Sequence, residues 1–504
     1  MNIKGVILFN PRSADAKHRL PNTILQVGAS VMEAYEVVLI DGNMETNPLG
    51  EILELLDTGN YQLVGFTVMP GPQLHQAIPF VKSIREKHPE VNIVWGGYFA
   101  SNQCDVVLKS GYVDYVINGM GDIAFPKLLK ALEHNLPVSE IKNLIYLKDG
   151  EVHKTPKDHI PNLDQLPRLP YQDLGKRYGM DNFLPKTFMG KRTLSYHSSF
   201  GCPFTCSFCA VVPIYNARWK GMSADRIMQD VDWFVENYQI DALEFHDNNF
   251  FTHRKRTVEF ARRMLGKGIS WWGEGRIDTI NQYTDEDLEL MRDSGLKMIF
   301  LGAETGNDDI LKQMDKGGTQ SGEQIRSFAA RMKRIGIIPE YSFVLGMPAD
   351  TEEEVRKQLQ FDINFIKEIK SINPDTEIII YVYSPVPTEG SELYDEITRQ
   401  GFHFPEKLDE WLAPSWEKFD QRKNPLTPWL TADMIDNIKN FETVLNGYYP
   451  TCSDFRIKGW KKKLLKSVAS WRYKTGFYHF PYEIKLLHKI WKYRQPEEQG
   501  FYTE

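Results

Sequence analysis

The chain has 504 residues, 42% of them hydrophobic and 25% charged, with a net charge of −7. This is ordinary globular composition, enough for about two to four domains. It excludes a disulfide scaffold, because only five cysteines are present, and it contains no apolar run of the ~18 residues that a membrane-crossing helix needs. The amino terminus, MNIKGVILFNPRSADAKHRL, reads as a first strand and loop and lacks the apolar core and small-residue cleavage site of a signal peptide. A reducing, cytoplasmic setting is the expectation.

Residues 1–140 alternate apolar runs with helical stretches, the pattern of a parallel α/β sheet of Rossmann-like (flavodoxin-like) type. Strands are predicted at 3–9, 36–41, 63–68, 91–96 and 112–117. The loops after them read NPRS, DGNM, MPGP, GGYFAS and NGMGD. In open α/β sheets ligands bind beyond the carboxyl ends of the strands, and glycine lets backbone approach a large ligand closely. The same composition also suits short turns that bind nothing. Residues 141–190 read as a linker, since HIPNLDQLPRLPYQDL carries three prolines.

From 191 to 395 a second alternation follows. Strands are predicted at 192–200, 242–247, 269–274, 297–303, 339–346 and 377–384, with helices at 223–238 and 352–370 capped by Ser223 and Thr351. Six β/α units suggest a complete or partial barrel with its site at the carboxyl ends of the strands. Residues 396–504 read as a mixed, mainly helical C-terminal region.

The sequence GCPFTCSFC (201–209) follows the first of these barrel strands and holds Cys202, Cys206 and Cys209, three of the five cysteines. Three thiolates this close suit zinc or an iron–sulfur cluster. Structural zinc generally takes four protein ligands; Cys104 and Cys452 are distant, and His197 lies on the strand. A three-cysteine cluster leaves one iron open to an exogenous ligand.

The segment Cys202-Pro-Phe-Thr-Cys206-Ser-Phe208-Cys209 resembles the signature of the radical S-adenosylmethionine (SAM) superfamily, with the aromatic Phe208 before the third cysteine. The resemblance implies a partial (β/α)6 barrel. It also implies a [4Fe–4S] cluster on the three cysteines, with SAM on the fourth iron, cleaved reductively to a 5′-deoxyadenosyl radical. An electron donor such as flavodoxin or ferredoxin is implied as a partner. LEFHDNNF (243–250), GEGRID (273–278), LGAETGN (301–307), FVLGMPADTEEE (343–354) and YSPVPTEGSELY (383–394) resemble the later strand ends of that family. They imply SAM contacts from Asp247 (with Asn248), Arg276, Glu304 and the backbone at Gly346. Taken alone, Asp247 could cap a helix, Arg276 could form an ion pair and Glu304 could support a loop.

The first domain resembles the cobalamin-binding subfamily through VVLIDGNME (37–45), GFTVMPGPQ (65–73), WGGYFAS (95–101) and INGMGDIAFPKLL (117–129). This implies a corrin held near Thr67, Gly96, Gly97 and Gly119. Departures are Met120 and Asp122 in the last loop, and Tyr98 and Phe99 where Pro and His are common. The Asp-x-His-x-x-Gly motif is absent, since His75 has no Asp two positions earlier. The resemblance, to class B methylases and the anaerobic magnesium-protoporphyrin cyclases, implies methylation of an unactivated carbon in a hydrophobic small molecule or lipid such as a hopanoid. Oxidative cyclisation without methyl transfer is the alternative.

Residues 454–494 hold twelve Lys/Arg against Asp454 and Glu483, a local net of +10. Trp460, Leu464, Val468 and Trp471 recur at helical spacing beside Lys461–Lys463. Such a helix could pack on the barrel, lie at an anionic membrane surface, bind an anionic substrate, or grip nucleic acid. A zinc-containing nucleic-acid-binding protein is the reading from another class.

Overall fold

The computed structural model describes residues 3–13, 19–315, 320–417, 421–422, 425–454 and 457–493. The chain divides into two compact units: Met1–Phe183 with Ser199–Met222 and Pro385–Asp420, and Leu184–Ser198 with Ser223–Ser384 and Gln421–Glu504.

The first unit is built on β1 (Gly5–Asn10), β2 (Glu36–Asp41), β3 (Tyr61–Thr67), β4 (Asn92–Gly96), β5 (Tyr115–Ile117), β6 (Leu144–Lys148) and β7 (Glu151–Lys154), in the order β2-β1-β3-β4-β5-β6-β7. The first five are parallel. Their order, 2-1-3-4-5, is the doubly wound arrangement expected from the alternation. β1 is buried along its whole length, as a central strand covered on both faces must be. The segment expected to be a linker contributes β6 and β7, an antiparallel hairpin that extends the sheet. Its prolines fall after β7, so they interrupt no ladder.

The second unit opens with β8 (Thr193–Tyr196). The predicted strand over 192–200 is in fact two. Asp247 accepts hydrogen bonds from Ser198 N and Oγ at 2.7 and 2.6 Å, and beyond Ser198 the chain joins the first unit as β9 (Ser199–Gly201), paired antiparallel to β10 (Trp219–Gly221). The second unit continues with β11 (Ala242–Phe245), β12 (Ser270–Gly275), β13 (Leu296–Glu304), β14 (Ile338–Leu345) and β15 (Glu377–Val382). These form an all-parallel sheet in the order β15-β14-β13-β12-β11-β8. Six strands in chain order, with no pairing between β8 and β15, make a partial barrel. Ser223 and Thr351 cap helices Ala224–Tyr238 and Glu352–Ile372, the latter through a reciprocal capping box with Glu354. No described helix is long and apolar enough to cross a membrane.

Candidate cofactor sites

In the first unit, the carboxyl ends of β3 and β4 meet closely. Val68 N donates to Gly96 O at 2.9 Å and Phe99 N to Val68 O at 3.0 Å. Gly97 has φ +88°, and a Cβ there would stand 2.8 Å from both Val68 N and Val68 O and 3.1 Å from Thr67 Oγ1. Thr67, Gly96 and Gly97 are therefore brought together, and only glycine fits the last position. Gly119, with φ +124°, lies past the end of β5 against Asn143. Gln73, buried, ties the loops after β1 and β3. Its Oε1 accepts from Met69 N at 2.7 Å, and its Nε2 donates to Pro11 O at 2.9 Å and Asn10 Oδ1 at 3.4 Å. Asp122 is held by Gln26 Nε2 at 3.0 Å, and burial pushes its carboxyl up to about 6.

A cavity within the same unit is lined by Gly119, Met120, Asn143, Lys157, Tyr215 and Arg218, among others. Lys157 Nζ donates to Asn118 O at 2.7 Å, and burial pushes its ammonium down to about 7. Sequence reasoning passed over Lys157, which sits in the stretch expected to be a linker; a lone lysine near prolines carries no pattern.

The three signature cysteines belong to this unit. None of the five cysteines of the chain is in a disulfide. Cys206 is buried and Cys202 and Cys209 are half-buried. Cys209 N donates to Cys206 O at 3.1 Å and Val212 N to Cys209 O at 3.2 Å, folding the loop into turns before the short helix Val211–Tyr215. Gly201, φ +77°, opens the loop where a Cβ would strike Arg218 O at 2.1 Å. Leu393 N donates to Ser207 O at 3.1 Å, so the Pro385–Asp420 segment braces the loop beside Phe208. Among the described residues no three His, Cys, Asp or Glu side chains converge on a point where one metal ion could sit. Three thiolates in one loop are a donor set that suits an iron–sulfur cluster.

In the second unit, the predicted residues lie at carboxyl strand ends. Asp247 is fully buried, with Ser198 on its carboxylate and Arg256 Nη2 at 3.8 Å. Asp247 and Ser198 are both fully buried, so together they anchor the loop that carries the half-buried Asn248. Arg276 grips both oxygens of Asp278, Nε to Oδ1 at 3.0 Å and Nη2 to Oδ2 at 2.6 Å. Glu304 closes β13 at a bulge with φ +61°. A non-glycine residue in the left-handed region costs energy, and such residues gather at functional sites. Behind it, Asp362 accepts from Thr305 Oγ1 at 2.6 Å, and burial pushes its carboxyl up to about 7. Gly346, φ +83°, accepts from Trp429 Nε1 at 2.9 Å.

One constellation escaped the sequence reading. His246 follows β11, with Nε2 3.3 Å from Glu244 Oε2 and Nδ1 3.6 Å from Glu274 Oε1, and its ring centroid is 6.0 Å from that of His197. An imidazole between two carboxylates can hold and pass a proton. The available signal was the period-two spacing of Glu244 and His246, which places both on one face. Cys452 N donates to Glu377 Oε1 at 2.5 Å, at the amino end of β15, whereas Tyr383 follows its carboxyl end.

The radical SAM superfamily model matches residues 196–361, and the B12 binding domain model matches residues 16–129. An uncharacterized methyltransferase of Pyrococcus horikoshii is 26% identical over 72% of this chain and 78% of its own. The anaerobic magnesium-protoporphyrin IX monomethyl ester cyclase of Synechocystis is 25% identical over 75% of this chain and 74% of its own. Among solved structures, the radical SAM methyltransferase TsrM of Kitasatospora setae, with cobalamin and a [4Fe-4S] cluster bound, superposes with a TM-score of 0.67. It covers 98% of this chain and 99% of its own at 14% identity, a likeness of fold.

Proposed function

We propose that this chain, which belongs to the radical SAM superfamily in the branch carrying a B12-binding domain, is a cobalamin-dependent C-methyltransferase acting on a hydrophobic small molecule or lipid. The observation that carries the reading is that the loop bearing Cys202, Cys206 and Cys209 clusters in one compact unit with the sheet whose strand ends carry Thr67, Gly96, Gly97 and Gly119. When bound, the cluster with SAM supplies a deoxyadenosyl radical, and cobalamin supplies a transferable methyl group.

In this reading Cys202, Cys206 and Cys209 hold the cluster, with Phe208 shaping the loop between the last two. Gly97 lets the end of β4 close against Val68, which with Gly96 brings backbone up to a corrin, Thr67 offers a hydroxyl, and Gly119 turns the chain beside it. Glu304 accepts from the ribose hydroxyls of SAM, Arg276 with Asp278 faces its carboxylate, the Asp247–Asn248 turn meets its amine, and the backbone at Gly346 lines the adenine. His246, backed by Glu244 and Glu274, offers a hydrogen bond to a polar group of the substrate, whose abstracted hydrogen atom leaves in 5′-deoxyadenosine. Positioning and exclusion of water are the chain's own contribution. The electron comes from a small carrier such as flavodoxin or ferredoxin.

The similarity to the magnesium-protoporphyrin cyclase favours a second reading, oxidative cyclisation without methyl transfer. One experiment separates them. Protein reconstituted anaerobically with iron, sulfide and cobalamin is desalted, then given SAM and a reductant, and 5′-deoxyadenosine and S-adenosylhomocysteine are measured by mass spectrometry. Retained corrin with both products supports methylation. Deoxyadenosine without homocysteine product supports the cyclase reading. In Cys202→Ala the brown iron–sulfur absorbance and deoxyadenosine formation are both lost; retained cleavage would refute the cysteine assignment.

A further inference from the structure

The charge and aromatic density of 454–494 have a definite placement in the structure, apart from Phe455, Arg456 and Arg494, which lie outside the described residues. Helix Trp460–Thr475 buries Leu465, Ala469, Arg472 and Tyr473, and it packs on helices Ala432–Tyr448 and Tyr482–Ile490 of the same unit. Trp460, Leu464 and Trp471, 66%, 42% and 49% exposed, fall within about 40° of one another on the wheel at ~100° per residue, on the side opposite the buried set. The apolar stripe that the sequence suggested could face the barrel therefore points away from its own packing.

This stripe continues past the helix. Trp471 stacks with Phe477 at 5.8 Å, Phe477 meets His479 at 5.7 Å, His479 meets Phe480 at 6.2 Å, and Phe480 stacks with Tyr482 at 5.9 Å. Tyr482, Leu486 and Ile490, 68%, 57% and 60% exposed, carry it along the exposed face of the last described helix. Across both helices the apolar surface is bordered by Lys461, Lys463, Lys474 and Lys489, and within 457–493 the only acidic residue, Glu483, is tied to Arg472. Contiguous apolar patches of this kind mark interaction surfaces. Aromatics at the centre with lysines at the margin match the interface of an anionic bilayer, where rings enter the headgroup boundary and lysine stems reach back to phosphates. A nucleic acid would call for the reverse order, cations along a central track with rings between them.

We propose that the face formed by Trp460, Leu464, Trp471, Phe477, Phe480, Tyr482, Leu486 and Ile490 seats the protein peripherally on an anionic lipid surface. The proposal does not depend on which reaction the protein performs. The test is flotation of the full-length protein with phosphatidylglycerol/phosphatidylcholine vesicles and with pure phosphatidylcholine vesicles. Wild type floats with the anionic vesicles, binding falls with salt, and tryptophan emission shifts to the blue. The exposed triple variant Leu464→Ser/Trp471→Ser/Phe480→Ser loses about tenfold or more in affinity with an unchanged circular dichroism spectrum, and Lys461→Gln/Lys463→Gln/Lys474→Gln loses the salt dependence. Wild type that stays unbound at low salt, triple variants that float like wild type, or release from vesicles by a single-stranded oligonucleotide would each overturn it.

Discussion

Gly97→Ala is the sharpest probe of the strand-end cradle. At φ +88° an alanine pays the left-handed backbone cost, about 1–2 kcal/mol. Its methyl would also stand 2.8 Å from Val68 N and Val68 O. Both are backbone atoms held by the bonds Val68 N to Gly96 O and Phe99 N to Val68 O, so relief requires moving two strand ends, for a further ~1–3 kcal/mol of overpacking. Gly111→Ala is the internal control. Its φ is +75°, nothing lies within 4 Å of the added methyl, and it sits in the same unit, so it reports the backbone cost alone. Urea denaturation of both variants, compared at equal m-value, should put Gly97→Ala below Gly111→Ala by about 1–3 kcal/mol. Corrin retention after desalting should fall only for Gly97→Ala. Equal stability of the two variants would refute the steric argument, and full corrin retention by Gly97→Ala would refute its placement against a large ligand.

Gln73→Leu removes the side chain that bridges the loops after β1 and β3 and leaves Met69 N and Pro11 O without this partner. The expected loss is about 1–3 kcal/mol in urea denaturation, with weaker corrin retention. Asp362→Asn tests the support behind Glu304. Burial raises the Asp362 carboxyl from 3.8 to about 7, so between those values the folded state keeps a proton that the unfolded chain has released. Stability from this group is therefore full below about pH 4 and is lost as pH rises to about 7, a change of at most ~4 kcal/mol. Asn keeps an acceptor for Thr305 and does not titrate. Its stability relative to wild type should rise across that window, and a difference flat with pH would refute the buried titration.

Much of the fold was legible because strand and helix periods are local. The five parallel strands of the seven-stranded first sheet and the six of the partial barrel follow from apolar runs bounded by turn residues, and Ser223 and Thr351 cap helices through bonds to residues three positions on. The cysteine loop was legible for another reason: a scarce, reactive residue repeated within eight positions has few structural explanations. The antiparallel hairpin β6–β7 was obscured by the prolines that follow it.

The sequence by itself determined which residues share a face and which loops lie at strand ends, because both follow from chain geometry within a few residues. Only the tertiary structure decided which face is covered. Trp460, Leu464 and Trp471 look outward because Leu465, Ala469 and Tyr473 meet the neighbouring helices first. Asp247 turns inward because Ser198, 49 residues away and just past β8, offers two donors. His246 gains Glu274 only when β12 is laid beside β11. Burial and pairing depend on what arrives from elsewhere in the chain, which no local period encodes.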